Sequence, residues 1–246
     1  MGKAVVTHEN GVRAHGATSI DEPSRRWALP PEVRRILIVG AGGFGREVLN
    51  WARDAWPSAC DRIAGFLSED RAILDGFDCG IPIVETPEHY QPVAGDRLLL
   101  AIGAPDARRR VAEALSSRGS EFLTLVHPTA IIAASACIGH GSIICPYAIV
   151  SDACRVGRFA IMNYHTSLGH DASTGDFAVL SPYATLGGAA RIEDDVFLGL
   201  HASIGPGKTV GRNSKVSANT CVLMDVPPTS LAFGVPGRVV NRIEGG

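Results

Sequence analysis

The sequence predicts an α/β domain followed by a parallel coil of very short strands, and two changes of rhythm along its 246 residues carry that prediction. From Arg34 to Leu125 the apolar runs RILIVG, IAGFL, IPIV and LLLAIG alternate with REVLNWARDAW and DARRRVAEALSSRG, whose apolar residues recur at helical spacing. Such alternation builds a parallel sheet with helices against its faces, here in a span about half that of a full doubly wound domain. After Leu125 the apolar period becomes six. Steps of six from Val126 land on Ile132, Ile138, Ile144 and onward to Val222, and Thr174 is the one stop that is not aliphatic. A helix needs a period near 3.6 and a flat strand one near 2, so a strict six means short strands with a turn after each.

In chain order, residues 1–33 carry no periodicity and end in Trp27-Ala28-Leu29-Pro30-Pro31, so they read as an N-terminal extension. Residues 34–125 are the expected α/β domain, and residues 126–246 the coil with its C-terminal tail. Small residues such as Ala136, Ala148, Ala160, Ala172 and Ala184 stand two places before the aliphatic stops. A net charge of -2 without a Lys/Arg run gives no reason to expect nucleic acid as a partner. No apolar run approaches membrane-spanning length, and MGKAVVTHENGVRAHG lacks the apolar core of a secretory signal, so a cytoplasmic protein without a membrane partner is expected. Six scattered cysteines without a CxxC read as reduced fillers.

Two motifs could carry chemistry. GAGGFG, residues 40 to 45, follows a strand and opens a helix, and Gly40, Gly42 and Gly45 match G-x-G-x-x-G. Missing side chains there let backbone N–H groups and a helix N-terminus approach phosphates. Glu69 or Asp70 in FLSED lies at about the distance expected of a ribose-binding acid. The second motif, TSLGHDASTGDF at 166 to 177, sets His170-Asp171 on the coil. A neutral imidazole can take a proton from an attacking amine or hydroxyl, and a carboxylate can fix its tautomer. Asp152, eighteen residues earlier, stacks one coil before His170 and rivals Asp171 as that carboxylate, because strand neighbours point to opposite faces. The same step puts Tyr147, His165, Tyr183 and His201 in one column at an edge, a candidate subunit-contact surface more than a catalytic one.

GAGGFGREV in a small α/β domain, then Asn163, His170-Asp171, Gly175-Asp176-Phe177 and the late GVPGRVV, resembles the hexapeptide-repeat sugar acyltransferases over residues 34 to 240. These are the sialic-acid O-acetyltransferases and nucleotide-amino-sugar N-acetyltransferases. The resemblance implies a Rossmann-like βαβ domain followed by a left-handed parallel β-helix, assembled as a homotrimer. It implies acetyl-CoA as acyl donor, no metal, and a nucleotide-activated sugar as acceptor, with a UDP-linked 4-amino sugar as the leading reading. Carried over position by position, His170 is the general base, Asp171 its partner, and Asn163 lies near the acceptor group. Gly40, Gly42, Gly43, Phe44 and Gly45, with Glu69 or Asp70, would hold the nucleotide. Gly188, Leu200 and Ala218 would lie along CoA, and Arg238 would meet a phosphate.

The chain departs from the resemblance at Phe44, where many relatives have His, and at Val179, where several have a second His. O-acetylation of a sialic acid or another sugar hydroxyl is the second reading within the same class. A zinc-dependent carbonic-anhydrase-like enzyme is a third, since His165 and His170 have H-x4-H spacing, although Thr129 stands where the third His is expected and His201 lies two coils downstream. A non-catalytic nucleotide-sugar-binding scaffold is the fourth.

Overall fold

The computed structural model describes residues 26–241. The first apolar runs become β1 (Arg35–Val39), β2 (Ile63–Leu67), β3 (Ile83–Glu85) and β4 (Asp96–Leu100), parallel in the order β3-β2-β1-β4. Successive side chains of β1 serve two cores. Ile36 and Ile38 pack with Val48, Leu49 and Ala52 of helix α1 (Gly43–Ala55). Leu37 and Val39 pack with Ala112 and Leu115 of helix α2 (Pro105–Ser117). Burial on both faces is why the strand reads as one unbroken apolar run.

The six-residue period becomes a three-sided parallel β-helix. Its two-residue strands run from β5 (Leu125–Val126) to β21 (Cys221–Val222) and stack in three sheets. Pairing advances by eighteen residues without interruption, as in Leu125↔Ile143, Ser167↔Thr185 and Arg191↔Thr209. The aliphatic stops and the small residues before them fill the interior. Thr174 is buried there too, and its Oγ1 accepts the Gly157 N–H at 3.2 Å, which accounts for the one polar stop. At the far end β22 (Ser230–Phe233) and β23 (Arg238–Asn241) form an antiparallel hairpin that brings Ala232 over the last coil.

From Gly141 to Asn219 each turn places one residue in left-handed backbone, for example Tyr147 (φ 59°), Asp171 (φ 60°) and Phe177 (φ 59°). The conformation costs an L residue on the order of 1 kcal/mol. A hydrogen bond between coils offsets it: the N–H of Asp171 donates to Asp152 O at 3.0 Å and that of Phe177 to Arg158 O at 2.8 Å. The left-handed residues fall into three columns, one per corner of the triangle. Gly141, Phe159, Phe177, Asp195 and Asn213 form the docking corner, and Tyr147, His165, Tyr183, His201 and Asn219 the ring corner. Ala153, Asp171, Ala189 and Gly207 form the His170 corner.

The α/β domain packs on one face and on the docking corner. Ile143, Ile161 and Val179 of that face are buried with Trp51 of α1. At the corner Phe159 and Phe177 stack at 5.0 Å, and Phe122 meets Phe159 edge-on. Arg109 lies 4.2 Å from the Phe177 ring centroid and grips Asp195 through two bonds of 2.8 Å. Arg108 is completely buried between the two parts. It donates to Phe159 O (2.6 Å), Ile102 O (3.1 Å), Gly141 O (3.5 Å) and Leu100 O, with carbonyls rather than a carboxylate as partners. Burial pulls its guanidinium down to about 9, so it remains a cation at neutral pH. Arg108→Met strands these carbonyls, and we expect a loss of about 3 kcal/mol, seen in a melting scan as a fall of about 10 °C. An unchanged midpoint would contradict this role.

The end of the expected extension belongs to the fold. Trp27, like Ala130, Ile132 and Ala133 of the first coil, packs against the core of the coil, at an end that no preceding coil covers among the described residues. Trp56 Nε1 donates to Trp27 O at 3.1 Å, and Arg26 donates to Ala136 O at 2.8 Å. The remainder of the extension, residues 1–25, lies outside the described residues.

Candidate active site

The glycine turn closes the end of β1. Gly40 has φ 102°, and a Cβ there would sit 2.7 Å from Ala101 O at the end of β4. A Cβ on Gly45 would sit 2.1 Å from Gly40 O. Both glycines therefore let α1 start directly against the strand ends, beside the crevice where strand order reverses. Gly42 offers α1 no side-chain cap, and Gly43 faces open space, so the first N–H groups of the helix are left for solvent or an anion. Phe44 is half-buried and sits edge-on to Trp51 at 5.9 Å, with its ring spent on packing toward the coil. Asp70 Oδ1 accepts the Ala72 N–H at 2.9 Å and so closes its own turn. Glu69 is exposed, and its carboxylate has no protein partner among the described residues.

His170 stands on the opposite side of the triangle. Its Nδ1 lies 2.8 Å from Asp171 Oδ2, with the side chains 73% and 63% exposed. A pair so exposed adds little stability, so its value is orientation. The alternation of strand side chains does not apply here, because Asp171 occupies the left-handed turn position and swings to the same side as its neighbour. Asp152 is engaged elsewhere: its Oδ1 accepts the Ser135 hydroxyl, which in turn accepts the Ala153 N–H at 2.9 Å. The structure thus pairs Asp171 with the imidazole, and Nε2 has no hydrogen-bond partner among the described residues.

The other expected residues are dispersed. Asn163 lies at the ring corner, where its Oδ1 accepts the Tyr164 N–H at 2.8 Å, and strand Ser167–Leu168 separates it from His170. Leu200 and Ala218, one coil apart, are exposed at the ring corner, whereas Gly188 lies at the His170 corner. Arg238 is exposed at the start of β23. The expected column is a continuous stack: Tyr147–His165, His165–Tyr183 and Tyr183–His201 have centroid spacings of 5.1, 4.8 and 4.7 Å. His165 is held in that stack and His170 on Asp171 at the next corner, so the H-x4-H pair does not converge. Val179, at the position of the relatives' second His, is buried against the α/β domain. Sequence reasoning missed Arg108 and the Phe159/Phe177 stack that fix this domain in place.

No helix among the described residues is long and apolar enough to cross a membrane, and all six cysteines are free thiols.

A hexapeptide-repeat β-helix carrying a glycine-turn α/β domain on one face is an architecture shared with solved acetyltransferases. Within it, residues 35–115 match the family model described as the PglD N-terminal domain. The chain is 32% identical over 118 residues to the UDP-N-acetylbacillosamine N-acetyltransferase of Bacillus subtilis, covering 46% of this chain and 51% of that one. PerB from Caulobacter crescentus, solved with CoA and GDP-perosamine, shares the fold at TM-score 0.74 and 28% identity, over 84% of this chain and 97% of that chain. The acetyltransferase domain of PglB from Neisseria gonorrhoeae, solved with acetyl coenzyme A, does so at TM-score 0.76 and 26% identity, over 85% and 100%. The chain spans about half the length of the curated relatives it matches. Its likeness is to the PglD-type hexapeptide-repeat sugar acetyltransferases.

Proposed function

We propose that this protein is an acetyl-CoA-dependent N-acetyltransferase that acts on the amino group of a nucleotide-linked sugar, a UDP-linked 4-amino sugar foremost. In this reading it works in the cytoplasm as a homotrimer. Residues 34–125 hold the nucleotide through Gly40, Gly42, Gly43, Gly45 and Glu69, and the β-helix carries the transfer. The observation that carries the reading is the oriented His170–Asp171 pair, exposed on the corner opposite the face where the glycine turn is docked. One chain keeps its sugar turn and its base apart, so each site takes the turn of one copy and His170 of a neighbour. The ring corner, with Tyr147 and Tyr183 half-exposed, is the surface that meets the neighbour's His170 corner.

His170 Nε2 takes the proton of the sugar amine as nitrogen attacks the thioester carbonyl. The carbon–sulfur bond then breaks, and the proton held by the imidazole passes to the leaving CoA sulfur. Asp171 keeps Nδ1 as the donor nitrogen and balances the imidazolium while it exists. The developing oxyanion needs N–H donors already in place. At the docking corner such N–H groups are taken: Arg158 N–H donates to Asp176 at 2.7 Å and Asp176 N–H to Asp194 at 2.8 Å. At the His170 corner the N–H of Gly188 has no protein acceptor among the described residues, so it is available.

The test is thiol release from acetyl-CoA with UDP-, GDP- and dTDP-linked 4-amino sugars, their hydroxyl counterparts and free sialic acid. We expect one CoA released per amino sugar consumed, fastest with the UDP series. Faster turnover of hydroxyl acceptors would move the assignment to O-transfer, and no release with any of them would favour the scaffold reading.

A further inference from the structure

We infer that Gly188 is the seat of the His170 imidazole, a positioning residue whose missing side chain lets the ring lie across the next coil. The inference rests on His170 acting as the base. A Cβ on Gly188 would sit 2.6 Å from His170 Nε2, 2.7 Å from Cε1 and 3.2 Å from Cδ2. These separations are well inside van der Waals contact, so the ring as placed requires glycine. Gly188 lies one eighteen-residue step beyond His170, directly beneath it in the stack, and Ala189 N–H donates to His170 O at 2.8 Å, fixing the two coils relative to each other.

The neighbouring glycines of this corner serve a different purpose. A Cβ on Gly169 would meet Gly188 N at 2.8 Å, and one on Gly187 would meet Pro206 N at 2.8 Å. Those two glycines are demanded by the backbone of the next coil, which cannot retreat. Gly188 has no left-handed φ, and the nearest atoms its side chain would meet belong to the imidazole. An alanine there fits the fold and displaces the ring instead. The imidazole is therefore held at two ends, by the Asp171 carboxylate at Nδ1 and by the bare Gly188 backbone beneath the edge that carries Nε2. On this exposed corner the ring has no other hydrogen bond, ion pair or ring contact among the described residues, so losing the seat frees it to turn away from the bond with Asp171.

Gly188→Ala is expected to lower kcat about a hundredfold, the cost of misplacing a catalytic group by about an ångström, with an unchanged melting midpoint. In ligand-free protein, the nitrogen-15 resonances of the His170 ring should lose the signature of a single tautomer protonated at Nδ1. In a His170→Ala background the same substitution should cost less than about twofold more, because a seat without its occupant has nothing to place. Unchanged ring resonances with kcat within about twofold of the parent would overturn the inference. So would unchanged resonances with only the KM for acetyl-CoA raised, which would make Gly188 a donor contact alone. An inactive parent enzyme would instead overturn the proposed function, and the ring resonances would still report on the seat.

Discussion

His170→Ala is expected to lower kcat by about 10²- to 10⁴-fold, the range for loss of a general base, the role proposed for His170, with the protein still folded and in its parental assembly. The second half of that expectation follows from the site's placement. The His170 side chain is mostly exposed, its one hydrogen bond among the described residues goes to a carboxylate that is also mostly exposed, and neither residue belongs to the buried column. Removing it should change stability by no more than about 0.5 kcal/mol. Asp171→Asn should cost a smaller factor, since the imidazole remains but its tautomer is no longer fixed. Asp152→Asn should leave turnover at the parental level, because that carboxylate is occupied by Ser135. Steady-state kinetics on the three variants, with melting midpoints beside them, check the ordering. Near-normal transfer by folded His170→Ala would remove His170 from the mechanism.

The coil was legible in sequence because nothing interrupts its step: a single insertion between Leu125 and Lys215 would have broken both the column of aliphatic stops and the register seen in the sheets. Stepping by eighteen along the sequence also puts Tyr147, His165, Tyr183 and His201 in the one column that the ring stack occupies. The same step from Gly141 through Phe159 and Phe177 to Asp195 marks the docking corner, a signal present in the sequence but eclipsed by the histidines of the next column. Arg108 left no such trace. In DARRRVAEALSSRG it reads as one more cation on a solvated helix face, and it is buried only because two separately patterned parts close over it. The choice between Asp171 and Asp152 stayed open for a related reason. Alternation along a strand argues against neighbours sharing a side, and only the left-handed turn at Asp171 suspends that rule. The role of Gly188 was hidden because a missing Cβ shows its purpose only through the ring that occupies the space.

The second large effect is the recovery of activity from two inactive variants, and it follows from the separation of the glycine turn and His170 on one chain. Gly43→Asp is suited to disable the turn: Gly43 faces open space, and an acid in the first turn of a helix is tolerated by the fold, yet it sets a negative charge where a phosphate would lie. His170→Ala disables the other half. In the proposed homotrimer, each variant alone should be nearly inactive. When the two are unfolded together at equal amounts and refolded into mixed trimers, a site is intact wherever the turn of a His170→Ala copy meets His170 of a Gly43→Asp copy. Random assembly makes about a quarter of the sites of that kind. Acetyl transfer by the mixed trimers is the most direct measurement of the shared site: recovery to about a quarter of parental turnover is the predicted result, and mixed trimers no more active than the two variants measured apart would contradict it.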